Sequence, residues 1–176
     1  MKKYALLAVS CSTFILLSCN GNKKELLQKV RDAEAKLKTS PAINGTNGNE
    51  AITAYTDYAS HYPDDTLSTA FMFNAAGIAS SLGQYTKAVD MYENIRTKYP
   101  DSRFVPECLL VEGFIYDNNL NDTARAHAKY QELINKFPGN ALSKQAAQAI
   151  KLLGKTPDEI GKEFEAKNDS TKKTRS

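Results

Sequence analysis

The sequence has 176 residues, 41% of them hydrophobic, which is enough for one domain with a real core. The formal charge of +3 falls to about +1 if Lys2 and Lys3 are removed, which argues against general nucleic-acid binding because that needs a concentrated basic patch. There are three cysteines: Cys11, Cys19 and Cys108. If the chain is cut before Cys19 and Cys19 is modified, Cys108 stands alone, and neither an internal disulfide nor a cysteine metal cluster can form.

Residues 1–18, MKKYALLAVSCSTFILLS, place two lysines before an apolar stretch that ends on a small residue. That is the layout of a secretory signal peptide. The apolar stretch is too short, and too interrupted by Ser and Thr, for a membrane span of roughly 20 residues. Leu16-Leu17-Ser18-Cys19 resembles the lipobox of bacterial lipoproteins. The resemblance implies cleavage before Cys19 and acyl chains on its sulfur and amine. Residues 19–22 would then be the lipidated N-terminus. Asn20 does not match the inner-membrane retention residue of enterobacterial lipoproteins, and no acidic cluster of the surface-export kind follows. The implied address is the outer membrane, on its periplasmic face.

Within residues 23–49, Leu26, Leu27, Val30, Ala33 and Leu37 recur at helical spacing and predict a helix over 23–38. The Pro- and Gly-bearing stretch 39–49 reads as a loop. It has two glycines but neither the spacing nor the lysine of a phosphate-binding loop.

From residue 50 to 154 the sequence repeats. Pro63, Pro100 and Pro138 lie 37 and 38 residues apart. Tyr55, Tyr92 and Tyr130 stand eight residues before them, and Ala51, Ala88 and Ala126 twelve before. Ile78, Ile115 and Leu153 stand fifteen after. Ala and Tyr four apart share one helix face, where the small alanine admits a partner helix and the tyrosine fills space. The proline stops the helix. Two helices fit between successive prolines: 66–82 and 85–99 joined at Gly83, then 103–118 and 122–137. A helix over 141–153 follows. His61 matches Lys98 and Lys136 as a helix-end cation, His127 has no second ligand at a metal spacing, and Asp64-Asp65 suits a helix cap. Cys108 reads as a small buried hydrophobe. Thr156, Pro157 and Glu159 predict a capping-box start to a C-terminal helix over 155–167. The apolar-free tail 168–176 is expected to be disordered.

LGQYTKAVDMYENIRTKYPDS (82–102) resembles the second half of a tetratricopeptide repeat, as do residues 124–140 and 50–65. The longer period resembles that of bacterial envelope proteins: the lipoprotein of the outer-membrane β-barrel assembly machinery, the periplasmic Tol-Pal coordinator, and small lipoproteins of Bacteroidota. The resemblance implies an all-α, right-handed α-solenoid of antiparallel helix pairs, about three units long. It implies a concave groove that binds an envelope protein or peptide segment, with Phe73, Gly77 and Ser80 from one helix and Val111, Ile115 and Asn118 from the next. A carboxylate-clamp subtype is disfavoured, since its Lys, Asn and Arg positions hold Phe73, Gly77, Cys108 and Glu112. The expectation is a non-enzymatic, lipid-anchored adaptor with no metal and no cofactor beyond the covalent lipid on Cys19. The alternative is a glycan- or peptidoglycan-linked binding protein or weak enzyme, which would expose aromatics beside paired carboxylates.

Overall fold

A computed structural model describes residues 11–156, 158–159 and 161–162, with side chains described from Asn22 onward. The start of the predicted leader, most of the C-terminal helix and the tail lie outside the described residues. The described elements are all helical: α1 (Cys11–Thr39), α2 (Gly45–His61), α3 (Thr66–Ser81), α4 (Tyr85–Lys98), α5 (Val105–Asn118), α6 (Thr123–Lys136) and α7 (Ala141–Leu152). Composition alone suggests one domain. The helices instead gather into two compact units, residues 1–104 and 105–176, as expected of repeats whose contacts are mostly with neighbours.

In the first unit α1 packs on α2, α2 on α3 and α3 on α4. The core is built on the repeated pairs: Ala51 and Tyr55, then Ala88 and Tyr92, are all at most 4% exposed. The rings of Tyr55 and Tyr58 lie 5.2 and 5.0 Å from Phe71, which holds α2 to α3. Two expectations need correction. α1 runs unbroken from Cys11 instead of starting at 23, and it is the first helix of the pair completed by α2. Residues 45–49, read as loop, form the first turn of α2. Asn44 accepts hydrogen bonds from the Thr46 and Asn47 amides, and the Asn47 side chain accepts from the Asn44 amide, closing a capping box. Gly48 is needed there for another reason. A Cβ on it would lie 2.9 Å from Leu82 and 3.2 Å from Ile78, so its bareness lets α2 reach the end of α3.

In the second unit α5 packs on α6, α6 on α7, and α7 back on α5. Ala126, Tyr130 and Leu133 are buried. α5 starts at Val105, which puts Pro106 in its first turn, where a missing amide costs nothing. Glu112 of α5 is fully buried, with Lys129 Nζ of α6 3.5 Å from its Oε2.

The three prolines mark three copies of one corner. The residue before each, Tyr62, Tyr99 or Phe137, has φ and ψ of −130° and 60°, −130° and 62°, and −132° and 56°. Proline excludes its predecessor from the helical region, so the helix ends there. Each of those residues donates its amide to the carbonyl four back, and its own carbonyl accepts from the amide three on. In the first and last copies a serine hydroxyl, Ser68 or Ser143, also donates to that carbonyl. The turns within pairs differ: Gly83 takes φ +74°, whereas the longer α5–α6 turn uses Asn121 at φ 52°. At the C-terminal side the predicted box forms, with the Thr156 amide 2.7 Å from Glu159 Oε2 and the Glu159 amide 3.3 Å from Thr156 Oγ1.

Asp65 caps α3 by accepting from the Leu67 amide at 2.9 Å, and its other oxygen accepts from the Lys23 ammonium of α1. Lys23 also lies 5.7 Å over the Tyr62 ring. The ammonium, then the Leu67 amide, hold the Asp65 carboxyl below its ordinary 3.8. A carboxylate depressed in the native state adds stability that is present above its unfolded value and lost as pH falls through the native one. Asp65→Asn is therefore expected to keep the cap but flatten the acid limb of a stability–pH curve. Asp65→Ala is expected to cost about 1 kcal/mol more through loss of the cap. Urea midpoints measured from neutrality down through and below the ordinary carboxylate range check both outcomes.

Candidate interaction surface

On α3, Phe73, Gly77 and Ser80 follow helical spacing along one face, and all three are half-buried. The Phe73 ring is fixed from two sides. It stacks on Phe104 at 4.9 Å and 22°, and meets the Tyr92 ring at 5.4 Å and 61°. At Gly77 an added Cβ would touch only the Tyr92 hydroxyl, at 3.7 Å. The face is therefore a fixed aromatic wall beside a shallow bare position.

On α5 the expected set divides. Val111 is half-buried and Asn118 exposed, with its side-chain amide donating to the Phe114 carbonyl at 3.1 Å. Ile115 is only 1% exposed and belongs to the core. It cannot line a groove, and the reason is register. The spacing from α3 to α5 is 37, not 38, because the extra residue of the second repeat falls in the α5–α6 turn, after α5. Ile115 thus corresponds to Ile78, itself 8% exposed, whereas the counterpart of Gly77 is Phe114, which is 56% exposed. Sequence reasoning missed Phe114, although the proline-to-isoleucine spacing of fifteen carried the signal. The same burial removes Cys108 and Glu112 from any groove, since both are 0% exposed.

The remaining singled-out residues have structural places. Ala51, Tyr55, Ala88, Tyr92, Ala126 and Tyr130 are core, Pro63, Pro100 and Pro138 are exposed corners, and Gly83 holds a left-handed turn. Burial, then the hydrogen bond to Glu34, pushes the Tyr55 phenol up to about 12. Burial, then the charge of Asp117, does the same for Tyr130, also to about 12. His61 is exposed at the end of α2, its Nδ1 2.8 Å from the Asp57 carbonyl, and His127 is exposed on α6. Cys19 lies on α1. Among the described residues no helix is long and apolar enough to cross a membrane.

Helix pairs framed by a small residue, an aromatic and a helix-ending proline define the tetratricopeptide class of all-α repeat, and the fold is of that class. The comparisons agree: residues 70–102 and 107–140 match the family model for the tetratricopeptide repeat. The fold is similar to the solved Arabidopsis OM64 TPR domain, with a TM-score of 0.51 and 16% identity over 73% of this chain and 93% of that one. No curated protein matches the chain.

Proposed function

We propose that this chain is a non-enzymatic adaptor. It binds a protein or an extended peptide segment through the first helices of its repeats. Acyl chains on Cys19 hold it to the periplasmic face of the outer membrane, with envelope or outer-membrane protein assembly as its setting. The observation that carries the binding role is Phe114, an aromatic ring 56% exposed at the position equivalent to Gly77. Large exposed rings are characteristic anchors of protein interfaces. The glycan reading has less support: a sugar platform needs open ring faces, and Tyr55, Tyr58, Tyr92 and Tyr130 are at most 4% exposed. Membrane attachment rests on the lipobox-like Leu16-Leu17-Ser18-Cys19, and several acyl chains contributing about 0.8 kcal/mol per buried methylene would make it stable.

A photo-reactive residue at Ser80 or Phe114 is expected to crosslink one envelope protein in intact cells, while the same residue at exposed Asp90 or Glu93 of α4 does not. Equal labelling from both faces, or glycan binding by the purified protein without any adduct, would overturn the adaptor reading. Cys19→Ser is expected to move the protein from the membrane fraction to the soluble one. Retention in the membrane would sink the lipid anchor.

A further inference from the structure

We infer that the end of the first unit formed by the corners 62–67 and 99–104 is a membrane-contacting surface, with Leu67 as the side chain that enters the lipid headgroup layer. The inference rests on the lipid anchor at Cys19 proposed above and deepens it.

The tether between Cys19 and the folded unit is short. Lys23 is four residues after Cys19 and is held to the body of the unit by Asp65 and by the Tyr62 ring. Along a helix, four residues span about 6 Å. Fully extended, they reach at most about 14 Å. Acyl chains would put Cys19 at the boundary between hydrocarbon and headgroups, and the headgroup layer is only about 5–8 Å thick. Whatever residues 19–22 do, the point where Lys23 is fastened stays within a layer or two of the acyl chains. No slack remains for the unit to turn another end toward the bilayer.

The fastened end has the features such a surface needs. Leu67 directly follows the capped start of α3 and is 42% exposed, although it is a large apolar side chain. The second corner is joined to the first by the Tyr99 hydroxyl, which donates to the Pro63 carbonyl at 2.8 Å. It brings Arg103, exposed and 4.9 Å over the Phe104 ring, to the same end. Charge alone does not explain attraction, since Lys24 and Arg103 are offset by Asp64 and Asp101. The tether and the apolar side chain supply it. One consequence follows for the binding surface: Phe73, Gly77 and Ser80 begin about 10 Å along α3 from Thr66 and run away from the bilayer, open to the aqueous side.

The test uses the full-length lipidated protein in phosphatidylethanolamine–phosphatidylglycerol vesicles carrying a headgroup-level nitroxide lipid. An environment-sensitive fluorophore is placed at Leu67→Cys or, at the other end of the unit, at Thr86→Cys. The Leu67 probe is expected to blue-shift and to lose most of its emission to the quencher, and the Thr86 probe to do neither. Inserting a flexible segment of about 12 residues after Asn22, with an r.m.s. reach near 20 Å, is expected to restore the Leu67 emission while the protein stays bound. Equal, unquenched emission at both positions in bound protein, or equal quenching at both, overturns the inference and leaves the anchor standing; quenching at Leu67 alone that persists after the insertion supports the surface and assigns its attraction to Leu67 instead of the tether. If mass analysis of the mature N-terminus finds no acyl group on Cys19, anchor and inference fall together.

Discussion

Gly113→Ala is expected to destabilise the second unit by about 3 kcal/mol, toward the upper end of what forced overpacking costs. The Cβ would sit 2.5 and 2.6 Å from two atoms of the Tyr130 ring. That ring is 2% exposed, so it has nowhere to turn. Either α5 and α6 separate or the tyrosine leaves its place, and in both cases the contact that joins the helices is lost. The control is the neighbouring case in the other unit. Gly77 is also a glycine inside a helix, but its added Cβ would make only an ordinary contact with Tyr92. Gly77→Ala is expected to be neutral or to stabilise by up to about 1 kcal/mol, the usual helix preference of alanine over glycine. The denaturant midpoint should fall for Gly113→Ala and hold or rise for Gly77→Ala. If both fall equally, the close approach at Gly113 is not what sets the cost.

Tyr58→Ala is expected to cost about 3–5 kcal/mol, the range for deleting a buried aromatic. Tyr58 is 0% exposed and its ring meets Phe71 edge-on at 5.0 Å and Tyr62 at 5.4 Å. Among the described residues it is the largest wholly buried side chain of the first unit, so the cavity would open where α2 rests on α3. Tyr58→Phe, which keeps the ring, is expected to lose far less. Thermal unfolding followed by circular dichroism separates the two. A loss as large for Phe as for Ala would place the stabilisation in the hydroxyl and not in the ring.

Much of this architecture could be read from residues alone, and the reason is local. A proline excludes its predecessor from the helical region whatever surrounds it, so Pro63, Pro100 and Pro138 ended their helices where the sequence put them. The Ala-Tyr pairs announced their burial in the same way, because small and large residues four apart suit a helix contact and little else. The features that escaped depend on the rest of the molecule. The polar stretch Gly45–Asn49 looks like a loop until Ile78 and Leu82 are seen pressing on Gly48. The helix at residue 23 looks separate until Lys23 reaches Asp65, 42 positions away. On α5 the exposed position lies one residue before the one expected to line a groove. One added residue in a turn shifts everything after it and nothing before it, and a helix face rotates by about 100° per residue. That is enough to exchange the buried Ile115 for the exposed Phe114.

The repeated corner at Tyr62, Tyr99 and Phe137 also bears on how such a chain can grow. The corner's backbone bonds, and the serine bond of its first and last copies, close within a few residues, from the carbonyl four back to the serine six on. The path of the turn is thus set by its own short stretch, while the distant bonds from Lys23 to Asp65 and from Tyr99 to Pro63 fasten it to its neighbours. A gene segment copied from one proline to the next carries a finished helix ending and a finished helix start at both seams. Length can be added in whole steps of 37 or 38 residues, with selection left to adjust only the side chains on the newly apposed faces.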